Sequence, residues 1–274
     1  MQEKVKNLEG YGLHSLDGEI GKVKEFYFDD HHWTIRYLVA DTGNWLSGRQ
    51  VLITPYSLSN VNKEKRTISV DLTKKKIEES PSLGSGEPVS RHFEQSYFRY
   101  YQLPMYWGGA HMWGAYPFFL RDTETRSEPV PGENDRDYHL RGTRAVTGYH
   151  IQAVNGEIGH IEDFILDDKN WAIRYLVIDT ANWWSGKKVL IAPKWIERVG
   201  WDESKVFVNL SREMIKQSPE YAEGSSITHD YETELHRHYN RPGYWVGELA
   251  AKRNSLAAPL QNRDSRLPHE IGNR

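Results

Sequence analysis

The stretch IRYLVADTGNWLSG, Ile35 to Gly48, returns as IRYLVIDTANWWSG, Ile173 to Gly186. Sliding the chain along itself by the same 138 positions aligns Gly18–Val61 with Gly156–Val199 without a gap, with 24 identities in 44 positions. Agreement at that level reads as an internal duplication. Weaker matches extend it through Ser80-Pro81 and Ser218-Pro219, Glu94 and Glu232, Tyr101 and Tyr239, and Tyr106-Trp107 and Tyr244-Trp245. A unit of about 100 residues present twice predicts tandem domains rather than a solenoid, which needs more repeats to bury its faces.

Within each unit the pattern is that of strands. GEIGKVKEFYFDD places apolar residues at Ile20, Val23, Phe26 and Phe28, an alternation with one slip that predicts a bulge or bend. IRYLVAD is a dense apolar run suited to a strand buried against a core. RQVLITP follows, then a charged turn and TISVDL or KVFVNL. Short strands at such spacing predict a small barrel or sandwich in each unit. The pairs Asp29-Asp30 and Asp167-Asp168 stand where two strands are joined, as turn-forming side chains do. Thr73 and Ser211 read as caps of a short helix, and Ser80 and Ser218 as caps of a further turn opened by proline.

Composition narrows the function classes. With 35 Lys and Arg against 38 Asp and Glu, no basic footprint for nucleic acid is expected. The chain has no cysteine, which excludes disulfides, thiolate nucleophiles and Cys-ligated metals, and fits a cytoplasmic setting. The first twenty residues have no apolar core and do not read as a signal peptide. The run from Met105 to Leu120 is too short, and too broken by glycine and proline, to read as a membrane span.

These features divide the chain into a first barrel over 1–83, an aromatic extension over 84–120, a flexible polar linker over 121–143, a second barrel over 144–222, a second aromatic extension over 223–249 and a disordered tail over 250–274. The linker and tail are assigned on their charged, unpatterned composition.

The run G-E-I-G, an aspartate pair, W-x-I-R-Y-L-V-x-D-T and S-G-[RK]-x-V-L-I-x-P resembles the PRC-barrel domain. That small β-barrel occurs in the cytoplasmic part of the H polypeptide of photosynthetic reaction centres and in a ribosome-maturation factor. The resemblance covers Glu9–Pro81 and Thr147–Pro219 and implies a mainly β fold of two tandem PRC-like barrels with short helical, aromatic extensions. It does not carry either function across. Among these residues there is no counterpart of the membrane helix of the reaction-centre polypeptide, nor of the barrel that precedes the PRC domain in the maturation factor.

The Trp loops are the strongest local signal. Trp45 and Leu46, and in the second copy Trp183 and Trp184, either plug an open barrel end or form an interaction surface. The aromatic extensions, with Tyr106, Trp107, Tyr244 and Trp245, hold too many rings to stay in water. They are expected on their own barrel, on the other barrel or on another chain, with exchange of these tails between units as one arrangement. Asp41 and Asp179 read as turn caps before they read as acids or bases, and Arg36 and Arg174 either pair with one of the aspartates or point outward. GEIG lacks the spacing of a phosphate loop. His31 and His32 are replaced by Lys169 and Asn170 in the second copy, so no shared metal role is expected of them. His229, Glu232 and His236 lie on one helical face, a weak metal set; no metal and no cofactor are expected.

No catalytic constellation emerges, so the expected function is a non-enzymatic, cytoplasmic binding or scaffold module. Its expected partners are the other barrel, a second copy of the chain or another protein. The alternatives are a cytoplasmic-face accessory of a membrane electron-transfer complex and, more weakly, an RNA- or ribosome-associated factor.

Overall fold

The structure is a computed structural model that describes residues 2–84, 86–107, 139–180 and 186–246. Its first half begins with a short strand β1 (Gln2–Lys4) and a helical turn α1 (Val5–Leu8), followed by β2 (Gly12–Ser15), β3 (Gly18–Asp29), β4 (Thr34–Asp41) and β5 (Arg49–Ile53). Then come β6 (Leu58–Asn62), β7 (Thr67–Val70), α2 (Lys74–Glu78), β8 (Leu83–Gly84) and α3 (Arg91–Tyr101). The second half runs β9 (Leu140–Gly142), α4 (Thr143–Val146), β10 (His150–Ala153), β11 (Gly156–Asp167), β12 (Ile173–Asp179) and β13 (Lys188–Ile191). It closes with β14 (Ile196–Gly200), β15 (Lys205–Val208), α5 (Arg212–Gln217) and α6 (His229–His238).

Two sheets result, and their paths correspond. The first is ordered β6-β7-β2-β3-β4-β5-β8 and the second β14-β15-β10-β11-β12-β13. In each, one parallel pairing, β2 with β7 or β10 with β15, interrupts an otherwise antiparallel order. The slip expected in GEIGKVKEF is a register shift between Val23 and Glu25, repeated between Ile161 and Asp163. Gly21 and Gly159 explain why the motif needs glycine. Their φ values are +130° and +147°, and a Cβ would stand 2.1 Å from the carbonyl oxygen of Asp41 or Asp179.

The halves are joined by strands that cross over. β1 pairs with β11 of the second half, Gln2 opposite Asp167 and Lys4 opposite Ile165. In return β9 pairs with β3 of the first half, Leu140 opposite Asp29 and Gly142 opposite Tyr27. At the seam Thr34 bridges Ala172. The rings of Phe28, Trp33 and Phe164 meet there, Phe28 being 5.0 Å from Trp33 and 5.8 Å from Phe164. Buried side chains of both halves therefore form one continuous core.

Three expectations need correction. Among the described residues the exchanged elements are the N-terminal arms and not the aromatic helices, because an arm strand satisfies open backbone groups of the opposite sheet whereas α3 and α6 bury their faces on their own half; residues 108–120 of the first extension lie outside the described residues. The end of the linker expected over 121–143 is instead β9 and the first residue of α4, with Leu140, Arg141 and Gly142 paired to β3 through backbone; residues 121–138 lie outside the described residues. Ser80 opens no new turn: its hydroxyl donates to the Ile77 carbonyl at 2.7 Å and so closes α2. Thr73 and Ser211 do cap α2 and α5, accepting from the amides of Lys76 and Met214. The tail over 250–274 lies outside the described residues.

Candidate functional site

Each half buries a carboxylate from its aromatic extension beneath the strand that carries IRYLV. In the first half Ser90 caps α3, and one turn later Glu94 points inward with no exposed surface. Its Oε1 accepts from Tyr37 Oη on β4 at 3.1 Å and from Tyr106 Oη at 2.7 Å. Arg91, three residues earlier on the same helix, reaches Oε2 at 3.1 Å. The fourth wall is His139, at the head of the arm from the other half: its Nε2 lies 2.6 Å from Tyr106 Oη and 3.3 Å from Glu94 Oε2. Arg91 also donates to His139 Nδ1 at 3.2 Å. A guanidinium only donates, so Nδ1 is an acceptor and the proton of the neutral ring sits on Nε2. Burial pushes the Glu94 carboxyl up to about 7, against the opposing pull of Arg91 and the two tyrosines.

The second half repeats the plan with different chemistry. Glu232 Oε1 accepts from Tyr175 Oη at 2.9 Å and Tyr244 Oη at 3.0 Å. The arm group is here the amide of Gln2, 2.6 Å from the carboxylate. His229 occupies the repeat position of Arg91. Arg91 lies 4.2 Å over the Trp107 ring, and His229 packs edge-on against Trp245 at 4.8 Å.

Beside each carboxylate lies an ion pair under an aromatic lid. Arg36 reaches Asp29 at 2.5 Å, both fully buried, and its guanidinium lies 4.0 Å from the Tyr106 ring centre. Arg174 repeats this with Asp167 at 2.9 Å and Tyr244 at 3.9 Å. Burial alone would raise Asp29, but the Arg36 charge and the hydrogen bonds of His32 outweigh it and hold its carboxyl well below the usual carboxylate range. Arg36 and Arg174 are thus structural partners of the turn aspartates, as their sequence context suggests.

The arms also border a cavity of about 370 Å³, lined by Val5, Lys6 and Glu9 from one arm, Thr143, Arg144 and Thr147 from the other, and Asp163 and Phe164 of β11. Phe26 and Phe164 stand one residue beyond the arm ladders, which end at Tyr27 opposite Gly142 and at Ile165 opposite Lys4. Thr143 Oγ1 accepts from the Phe26 amide at 3.3 Å. The equivalent arm residue is Val5, which has no acceptor, and Asp163 Oδ1 serves the Phe164 amide instead at 2.8 Å while also accepting from the Lys6 amide. Burial raises Asp163 to about 6.

Among the remaining sequence candidates, Trp45 and Leu46 are half-buried against the core, and Lys74 Nζ stands 5.5 Å from the Trp45 ring centre. Trp183 and Trp184 lie outside the described residues. Asp41 accepts from the Gly43 amide at 3.1 Å, the turn cap it was read as. His31 and His32 sit in the β3–β4 turn, where His32 Nδ1 is 3.0 Å from Asp29. His236 and His229 both pack on the Trp245 indole, and Glu232 is occupied by neutral donors. Among the described residues no three His, Asp or Glu gather in a way that could hold a metal ion, and no helix is long and apolar enough to cross a membrane.

Sequence reasoning placed Glu94 and Glu232 in register, together with the Tyr-Trp pairs that cover them. It missed His139 and Gln2, because each arm works in the half to which it does not belong.

The fold and its buried clusters define a mainly β protein with two sheets and a few packed helices. A PRC-barrel domain is found at residues 3–77, from β1 into α2. An uncharacterised protein of Deinococcus radiodurans is 33% identical over 91 residues, 32% of this chain. The matched region is 32% of that relative, so the chain spans about a third of its length.

Proposed function

We propose that the chain is a non-enzymatic binding or scaffold module built from two copies of one PRC-like unit clasped by their arms. The duplication rests on the 24 identities in 44 aligned positions and on the matching strand order of the two sheets. The observation that carries the binding role is a repeated exposed side chain. Leu16 is 68% exposed and Val154, its repeat partner 138 positions on, is 63% exposed. Each stands in the turn of the β2–β3 or β10–β11 hairpin. Apolar residues at both tips of a duplicated unit suit a partner engaged at two equivalent points. The two carboxyls that burial raises most, Glu94 and Asp163, point the other way, into the protein, where its own groups engage them.

The test is quantitative affinity capture from cells with the intact chain and a Leu16→Ser/Val154→Ser variant, run beside a broad turnover screen. The reading expects defined partners lost from the variant while its melting temperature is unchanged. Turnover abolished by Asp41→Ala or Asp179→Ala would overturn it.

A further inference from the structure

We propose that one position decides which arm each half accepts: a glycine, Gly142, for the site on β3 and a lysine, Lys4, for the site on β11. The partner each half fits is the other kind of unit, and neither half pairs with its like.

The two arms dock at repeat-equivalent places, and one place differs. Gly142 lies opposite Tyr27 on β3, whereas Lys4, its counterpart 138 positions earlier, lies opposite Ile165 on β11. On β3 the Tyr27 ring fills the space that a side chain would need. A Cβ on Gly142 would stand 3.2 Å from Tyr27 Cε1 and 2.8 Å from Glu25 Oε2. The Glu25 carboxylate is the flexible end of its side chain, but the ring is tied. Tyr27 Oη donates to Gln50 Oε1 at 2.8 Å, and Gln50 in turn donates to the carbonyls of Gly84 and Glu87. A ring laid over a cross-strand glycine covers backbone that the glycine leaves bare.

On β11 the same place is built for a cation. Lys4 is buried, with Nζ 2.8 Å from Glu223 and 4.0 Å from Asp163. Lys188 completes the set, reaching Glu223 at 2.7 Å and Glu162 at 2.8 Å. The first half carries different residues at these repeat positions: Ser85 for Glu223, Gln50 for Lys188 and Lys24 for Glu162. An arm with lysine laid on β3 would keep one carboxylate, Glu25, but would meet the Tyr27 ring and find Lys24 where Glu162 stands in the other half. An arm with glycine laid on β11 would take the cation away from Glu223 and leave its space empty beside Ile165. Crowding rejects the wrong arm in one half, and a missing partner rejects it in the other. The first arm residues do not discriminate, since His139 and Gln2 both reach the carboxylate beneath them.

Hydrogen exchange on the full chain tests this with two variants beside wild type. Gly142→Lys should free β9, so that protection of Tyr27–Asp29 and Leu140–Gly142 falls by about tenfold or more while Gln2–Lys4 and Ile165–Asp167 hold. Adding Tyr27→Ile and Lys24→Glu, the residues of the second half at those positions, should restore that protection. A Gly142→Lys arm that stays docked, or a loss that the added pair does not repair, overturns the proposal. Should Gly142→Lys not fold, the converse exchange decides. Lys4→Gly should loosen β1 alone, and Ile165→Tyr beside it should bring β1 back. A β1 that Lys4→Gly leaves unchanged, or that Ile165→Tyr does not bring back, overturns the proposal as well.

Discussion

Trp33 and Trp171 each give their carbonyl oxygen to the opposite half of the chain. The Ile173 amide donates to Trp33 at 2.8 Å, and the Ile35 amide donates to Trp171 at the same distance. Both residues have positive φ, 53° and 58°, a conformation uncommon for a large side chain. The strain is held by burial, each indole being less than a tenth exposed, and by the reciprocal bonds themselves. Two sheets that share this seam, exchange arms and bury one core are coupled.

The first prediction follows from that coupling. Urea unfolding of the full chain should show one transition, coincident by tryptophan fluorescence and far-UV circular dichroism. Trp33→Ala should lower that whole transition by about 3 to 5 kcal/mol, the cost of emptying a buried aromatic site. A variant that splits the curve into two separated transitions contradicts a shared core.

The arms allow a sharper comparison. Thr143→Val keeps shape but removes the acceptor for the buried Phe26 amide, and should cost about 1 to 2 kcal/mol. Val5→Thr at the equivalent place in the other arm should change stability little, because Asp163 already serves the Phe164 amide. Chemical denaturation of the two variants checks this, and equal costs would mean that arm packing, not the hydrogen bond, sets the difference.

The repeat made much of this fold legible. Periodicity located β3, β4 and their counterparts, and the slip at Val23 located the bulge. Glu94 with Glu232, and Tyr106-Trp107 with Tyr244-Trp245, stand in repeat register in the sequence, but that register alone does not mark them as buried clusters. What stayed hidden was long-range. Nothing in QEK or LRG announces an edge strand, and neither Gln2 nor His139 has a local reason to meet a carboxylate in the other half. Linear pattern reports which face is apolar. It does not report which sheet a three-residue strand will join.

The glycines of GEIG give a third prediction. Gly21→Ala must place a methyl 2.1 Å from the Asp41 carbonyl at φ +130°, so strands β3 and β4 must separate. The expected loss is about 3 kcal/mol or more. Gly12→Ala is the control, since its new Cβ would meet nothing nearer than His14 Nε2 at 3.5 Å. Thermal unfolding of both checks the contrast, and a mild Gly21→Ala would show that β3 can slide past Asp41.

Asp163 gives the last. Its carboxyl is raised to about 6 from 3.8 by burial, against the pull of the Phe164 and Lys6 amides. A raised folded value means the native state binds the proton more tightly than the unfolded chain. The stability it contributes is fully present below the ordinary carboxylate value and is lost as the pH climbs through about 6. Asp163→Asn keeps an oxygen for both backbone amides and replaces Oδ2, which is buried without a hydrogen-bond partner, by a group that never ionises. At pH 8 the variant should be more stable than wild type by about 2 to 3 kcal/mol, and at pH 4 the two should converge. Urea midpoints across this range isolate Asp163 by difference, since Glu94 titrates alike in both proteins. A variant less stable than wild type at pH 8 would mean that the charge itself, through Lys4 at 4.0 Å, holds the arm in place.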